Sequence, residues 1–213
     1  MFNNFDFNIE EILLKIPAII IAFSFHEFAH AYTSHKFGDP TPGNQGRLTL
    51  SPLAHIDIIG FILILLAGFG WAKPVQINPR YYKNPRRDEL IVSLAGPFTN
   101  LVLAFLSVLI YAAVLKLSPG NNVIIYNLLN VIEYIVWINI LLFFFNLLPL
   151  PPLDGFAILR ELIPYRQSRI VWYLERYSSV ILIVILLTRV VSWIILPPAA
   201  FLENFLYGLV GLS

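Results

Sequence analysis

What this chain can fold into is constrained most by four long apolar runs, at residues 12–37, 89–117, 130–148 and 177–196. Each approaches or exceeds the roughly 20 residues that cross a bilayer as a helix. No water reaches the hydrocarbon layer to pair an exposed N–H or C=O, so such runs fold as helices that satisfy their own backbone. Composition agrees: 58% of the residues are hydrophobic and 13% charged, against about 25% charged in a soluble domain. The expectation is an all-α polytopic membrane protein of about five transmembrane helices, with a re-entrant segment and a short β-hairpin. The 213 residues leave no room for a separate soluble domain. Residues 1–213 read as a single membrane-embedded domain, its catalytic core at about 12–165 and accessory C-terminal helices at 166–213. The start, MFNNFDFNIEE, is acidic and no small-residue cleavage site follows, so the first span is expected to stay in the mature protein.

Inside the first run lies His26-Glu27-Phe28-Ala29-His30. At about 100° per residue the two imidazoles share one helix face and can hold one metal ion, and Glu27 sits one step round, within reach of a water on it. Two histidines and a glutamate at this spacing also arise by chance on soluble helices. Within a span the odds change, because one ionisable group there costs about 2.5–3.5 kcal/mol on insertion scales. Three adjacent ones need a reason, and metal chemistry supplies it. The chain has no cysteine, which excludes disulfides and thiolate ligands and leaves His, Asp, Glu or Asn to complete a site. Zinc suits two imidazoles and a carboxylate, with a fourth position kept for water. His26 and His30 are therefore the candidate ligands and Glu27 the candidate general base. A net charge of +1 gives no support for nucleic-acid binding.

Gly38-Asp39-Pro40 is expected to stop the first helix. His35, roughly 140° round from His30, faces away from the pair and is left out of the site. Residues 46–50 and 73–79 alternate polar and apolar and are expected to pair as a hairpin over the membrane surface. Between them, 55–71 is apolar but short for a crossing and interrupted by Gly60, Gly68 and Gly70. Topology decides whether it crosses. Asp154 joins His26 and His30 only if the crossings between His30 and Asp154 are even in number. With 89–117 going out and 130–148 returning, 55–71 must dip and return, which requires cover from protein or a water-filled cavity. Lys73, Arg80, Lys83, Arg86 and Arg87, then Arg160, Arg166, Arg169 and Arg176, put both loops on the cytoplasmic side.

The run 89–117 holds Ser93-Leu94-Ala95-Gly96-Pro97-Phe98-Thr99-Asn100, whose small residues suit close helix packing. Asn100 is different: a buried amide wants partners, and it is expected to support the site from behind. The run 130–148 leads into Asn146-Leu147-Leu148-Pro149-Leu150-Pro151-Pro152-Leu153-Asp154-Gly155. Three prolines in four residues cannot continue a helix, so carbonyls and a carboxylate are freed to face a cavity. Alone, Asp154 would read as a solvated helix cap; beside a two-histidine site lacking a carboxylate, it reads as the third ligand. Arg189 lies at a depth similar to Glu133, and both an ion pair and snorkelling of Arg189 are open. Residues 197–213 are too short and broken to be read as a further crossing.

Taken together, the His26 to His30 helix, Ala95-Gly96-Pro97-Phe98-Thr99-Asn100, Asn146 and Leu153-Asp154-Gly155 give the chain a resemblance. It resembles the site-2 protease family of intramembrane zinc metalloproteases, in the compact prokaryotic branch without PDZ or CBS domains, over about residues 15–165. The resemblance implies one Zn2+ per chain on His26, His30 and Asp154, with Glu27 activating water. It implies that Asn146 helps bind or orient the substrate strand or oxyanion. His55-Ile56-Asp57-Ile58-Ile59-Gly60 resembles that branch as well, and places His55 near the site without an assigned role. The expected activity is regulated intramembrane proteolysis: hydrolysis of peptide bonds within or near transmembrane segments of membrane proteins, the substrate unwinding against the hairpin edge. Expected partners are those substrates and the lipid bilayer, with a homo-oligomer or a regulatory membrane partner left open and no nucleic acid. The expected location is the plasma membrane of a prokaryote, the active site towards the cytoplasm. The alternatives are a metal-binding membrane transporter or a non-catalytic scaffold; transport predicts repeated halves around broken helices, and no internal repeat is visible.

Overall fold

The computed structural model describes residues 9–68, 70–118, 122–163, 169–188 and 190–212. In order come α1 (Ile9–Lys36), α2 (Thr41–Asn44), α3 (Pro52–His55), α4 (Ile58–Ala67), a 3-10 turn (Pro79–Tyr81), α5 (Pro85–Leu117), α6 (Val123–Asn146), α7 (Asp154–Leu162), α8 (Arg169–Arg176), α9 (Ser178–Leu187) and α10 (Val190–Leu209). Among the described residues α1, α5, α6 and α10 are long and apolar enough to cross a membrane. The chain is an all-α membrane protein.

Helices α1, α5 and α6 pack on one another in pairs, α7 lies on α5, and α10 closes against α6. Lipid tails are as apolar as leucine, so close approach between spans depends on small residues and on hydrogen bonds. Ala18, Ala22 and Ala31 of α1, Ala104 of α5 and Ala199 of α10 are fully buried. An apolar cluster built on Ala104, Val108, Val136, Ile140, Ile195 and Ala199 joins α5, α6 and α10. Around His26, by contrast, α1, α5 and α6 are joined by hydrogen-bonded side chains.

The connection from α1 to α5 starts and finishes at one end of the bundle. Gly38, at φ 102°, turns the chain against the Tyr81 carbonyl, a conformation that glycine alone adopts cheaply. Asp39, fully buried, accepts from the N–H groups of Thr41 (2.9 Å) and Asn78 (2.7 Å) and from the Ser34 hydroxyl (2.8 Å). Burial alone would raise its carboxyl pKa; the bonds from Thr41, Asn78 and Ser34 outweigh that and hold it below the usual carboxylate range.

The segment expected to dip does turn back. α4 has 10 residues, about 15 Å of helix against roughly 30 Å of hydrocarbon. The returning chain touches it through glycines: a Cβ on Gly60 would stand 2.1 Å from the Trp71 carbonyl oxygen, and one on Gly70 2.0 Å from that of Gly60. The two feet of the dip are joined by a bond of 2.8 Å from the Lys73 N–H to the His55 carbonyl.

The expected β-hairpin takes another form, for neither 46–50 nor 73–79 is a strand among the described residues. Pro74 and Pro79 have no N–H, and the N–H groups of Lys73, Val75 and Asn78 are given to His55, Glu27 and Asp39. A ladder has too few donors left. The two stretches are tied instead by Arg47, 6% exposed, whose guanidinium donates to the carbonyls of Ala54, Lys73 (3.0 Å) and Pro74 (3.4 Å).

The apolar run at 177–196 divides. Thr188 closes α9 with its hydroxyl on the Ile185 carbonyl (2.7 Å), leaving 10 residues, and the long helix is α10, which continues through Pro197 and Pro198. Each proline removes only the bond to the carbonyl four residues back, those of Trp193 and Ile194, and the rest of the ladder holds. Arg166 and Arg189, with Pro119, Gly120 and Asn121 of the α5–α6 loop, lie outside the described residues. Glu133 accepts from the Tyr111 hydroxyl at 2.9 Å.

Candidate metal centre

His26 and His30 stand one turn apart on α1, about 15 and 9 Å from its C-terminal end at 1.5 Å per residue, and both are buried. His30 Nδ1 lies 2.8 Å from the Val92 carbonyl of α5. A carbonyl only accepts, which assigns the proton to Nδ1 and a lone pair to Nε2. His26 Nδ1 lies 2.6 Å from Asn100 Oδ1. The Asn100 amide nitrogen is turned the other way, to the Ala22 carbonyl (3.2 Å) and Asn139 Oδ1 (2.8 Å). Its oxygen therefore faces His26, and the same tautomer follows.

Asp154 is the first residue of α7, delivered by the proline-rich turn after α6. Gly155 permits the tight approach, since a Cβ there would stand 2.3 Å from the Leu147 carbonyl oxygen. α7 is clamped onto α5 at its far end: Arg86 donates to the carbonyls of Glu161 (2.6 Å) and Leu162 (3.3 Å), capping the helix, and Arg160 pairs with Glu89. Asp154 Oδ2 comes to 3.3 Å from each Nε2, and the two Nε2 atoms are 3.1 Å apart.

These three atoms form, among the described residues, a group that could hold a metal ion. With both protons on Nδ1, three lone pairs meet with no donor between them, and Asp154 Oδ2 is buried without a hydrogen-bond partner. A cation satisfies all three. Ligand atoms about 2.0–2.2 Å from a tetrahedral ion lie about 3.4 Å from one another, so the observed spacing fits zinc, as does the donor set of two imidazoles and a carboxylate. Gly96 of α5 leaves the room: a Cβ there would stand 2.3 Å from His30 Nε2 and 2.7 Å from His26 Nε2.

Glu27 is buried beside the pair and accepts the Val75 N–H on Oε2 at 2.9 Å. The extended stretch that carries Val75 is pinned at one end by Arg47 and at the other by Asp39.

The sequence-predicted residues are thus placed unequally. His26, His30 and Asp154 converge, Glu27 adjoins them, and Asn100 bonds His26. Asn146 ends α6 with its amide nitrogen on the Leu142 carbonyl (3.1 Å). His55 is fully buried, with Nε2 at 2.6 Å from the Thr49 carbonyl, a foot of the dip rather than a neighbour bonded to a ligand. Three features were missed. Gly96 reads in sequence as packing and in structure as the space the ligand atoms occupy. Asn139, buried on α6, lies seven residues before Asn146 and so on the same helix face, a signal that was available. The Val75 N–H is backbone and leaves no trace in the sequence.

Comparison with known proteins gives relatives along most of the chain. It is 42% identical over 185 residues to a Bacillus subtilis protein named "Putative zinc metalloprotease YwhC", covering 85% of this chain and 84% of that one. It is 30% identical over 156 residues to "Putative zinc metalloprotease MJ0611" of Methanocaldococcus jannaschii, covering 73% of each. It is 29% identical over 181 residues to "Putative zinc metalloprotease Rip2" of Mycolicibacterium smegmatis, covering 83% of this chain and 67% of that one. A family model described as Peptidase family M50 matches residues 112–188. No solved structure matches the chain.

Proposed function

The chain belongs to peptidase family M50 and is a zinc metalloprotease, and from that premise we propose that it cleaves membrane proteins within or near their transmembrane segments, using His26, His30 and Asp154 to hold zinc and Glu27 as general base. Membership of a peptidase family sets aside the transporter and the scaffold. The observation that carries the intramembrane reading is depth: His26 and His30 lie about 15 and 9 Å from the end of a helix long enough to span a bilayer. A bond cut there is a bond below the membrane surface.

When bound, zinc polarises the scissile carbonyl and lowers the pKa of a water it holds. The chain's own residues do the rest. Glu27 takes the proton of the attacking water and returns it to the leaving amine. The Val75 N–H on Oε2 fixes the carboxylate so that Oε1 is free for this task. A helical substrate amide is already hydrogen-bonded, so the substrate must unwind, and of the extended stretch only the Gln76 and Ile77 N–H groups remain to pair with it. Asn146, at the end of α6, is assigned to orient that strand or the oxyanion.

Incubation of the purified protein with a panel of single-span peptides tests the reading. Cleavage within or near the span that chelator abolishes and added zinc restores is expected; cleavage indifferent to chelator would overturn it. The proposed orientation, with the metal end towards the cytoplasm of a prokaryotic cell, rests on the basic residues Lys73, Arg80, Lys83, Arg86, Arg87, Arg160, Arg169 and Arg176. In a chain without cysteine an introduced thiol is unique. Lys83→Cys and Arg169→Cys should react with an impermeant reagent only from the cytoplasmic face, and Asn122→Cys only from the outer face. Reaction of Lys83→Cys and Arg169→Cys from opposite faces would mean an odd number of crossings between them.

A further inference from the structure

We propose that Asn139 is a positioning residue that sets, through Asn100, the tautomer in which His26 can bind zinc; the inference rests on His26 being a ligand. A carboxamide is nearly symmetrical in shape, and flipping it exchanges an acceptor for a donor. With Asn100 Oδ1 towards His26, the imidazole keeps its proton on Nδ1 and offers a lone pair at Nε2. With Nδ2 there instead, Nδ1 must accept, the proton moves to Nε2, and that nitrogen points an N–H at the metal position.

What selects the first arrangement is a directed chain of hydrogen bonds. Asn139 donates from Nδ2 to the Ile135 carbonyl, one turn back on α6, at 2.8 Å. This commits its Oδ1 to face Asn100, whose Nδ2 donates to it at 2.8 Å. The other hydrogen of Asn100 Nδ2 goes to the Ala22 carbonyl at the longer distance of 3.2 Å. Asn100 Oδ1 is then left for His26 Nδ1 at 2.6 Å. Polarity passes from the α6 backbone through two amides to the α1 ligand, and the Ala22 carbonyl favours the same orientation of Asn100 through the longer bond. Asn100 and Asn139 are both completely buried, in helices long and apolar enough to span a membrane. A buried amide in such a helix is costly unless its groups are paired, and here the pairing leads to the metal centre. His30 needs no such relay, because the Val92 carbonyl cannot flip.

Zinc affinity of the intact protein in detergent, measured without substrate by competition with a chromogenic chelator, reads this directly. Asn139→Leu removes the acceptor while keeping the branching and the number of side-chain heavy atoms, and makes α6 more apolar, which favours its folding in a membrane. Because the Ala22 carbonyl still favours the productive orientation, affinity should fall by about 10-fold, the lower end of what losing a partner behind a metal ligand costs. Asn139→Asp keeps an acceptor towards Asn100 and should recover most of the loss. In an Asn100→Asp background, where both oxygens accept and no orientation remains to be chosen, Asn139→Leu should no longer lower zinc affinity. The visible spectrum of the cobalt-substituted protein should be altered in Asn139→Leu and normal in Asn139→Asp. An unchanged affinity in Asn139→Leu, or the same loss in both backgrounds, would overturn the relay. His26→Ala separates the two levels: if it retains full zinc affinity, the ligand assignment fails and the relay with it, whereas zinc dependent on His26 but indifferent to Asn139 defeats the relay alone.

Discussion

His26 and His30 are held from behind by α5, through the Asn100 carboxamide and the Val92 carbonyl, whereas Glu27, on the same turn of α1, is held by the backbone N–H of Val75, 48 residues along the chain. The ligand side is built by helices packed on one another, α1 on α5 and α6, and α7 on α5. The base side depends on an extended stretch with no regular structure of its own, fixed by two buried charges, Arg47 and Asp39. For the proposed site, the difference predicts that binding zinc and using it are separable. Damage to the helical side should remove the metal and damage to the extended side should leave it.

The largest effect is expected from Asp154→Ala. It deletes a ligand atom 3.3 Å from both imidazoles, so zinc affinity should fall by more than the about 10–100-fold that losing an outer partner costs, and peptidase activity should go with it. Zinc retained at full stoichiometry in the dialysed variant would remove Asp154 from the centre.

Glu27→Gln comes next and should cut the other way. The amide keeps the shape and can still accept the Val75 N–H, but it takes no proton from water. Turnover should fall by about 10²–10⁴-fold, the usual weight of a general base, at unchanged zinc content. If metal and activity fell together, the division between the two sides would be broken.

That division also describes what was legible in the sequence. That His26 and His30 share one face follows from helix periodicity, and that the chain unwinds before Asp154 follows from its prolines; reading Asp154 as a ligand needed the two histidines beside it. The shared face and the unwinding depend on local rules, and those rules were obeyed. The glycines at 60 and 70 announced a close return, and the parity of crossings required one. What could not be read depends on contacts between distant segments. The alternation at 73–79 looked like a strand because period-2 patterning is silent about where N–H groups go, and here they go to His55, Glu27 and Asp39. The break at Thr188 and the passage of α10 through Pro197 and Pro198 reverse the naive reading, in which prolines stop helices and threonine does not. Within a span, the loss of two ladder bonds is tolerated where the flanking turns remain intact.

The smallest effect, and the sharpest test of the comparison, is expected from Arg47→Ala. Arg47 touches neither a ligand nor Glu27; it fixes the stretch that does, by donating to the Lys73 and Pro74 carbonyls on one side and the Ala54 carbonyl on the other. Its removal frees one end of the stretch, while Asp39 still holds Asn78 at the other. Val75 should then present its N–H to Glu27 for part of the time only. A full 1 Å misplacement of a reacting group can cost about 10²-fold, and a stretch still anchored at one end should lose about 10-fold in kcat. Zinc affinity should not change, because no bond to His26, His30 or Asp154 passes through this segment. Arg47→Lys should recover part of the rate, since an ammonium can reach one carbonyl but cannot fork to three. The outcome that sinks the comparison is loss of zinc in Arg47→Ala in a protein that remains folded, for the extended side would then be part of what holds the metal.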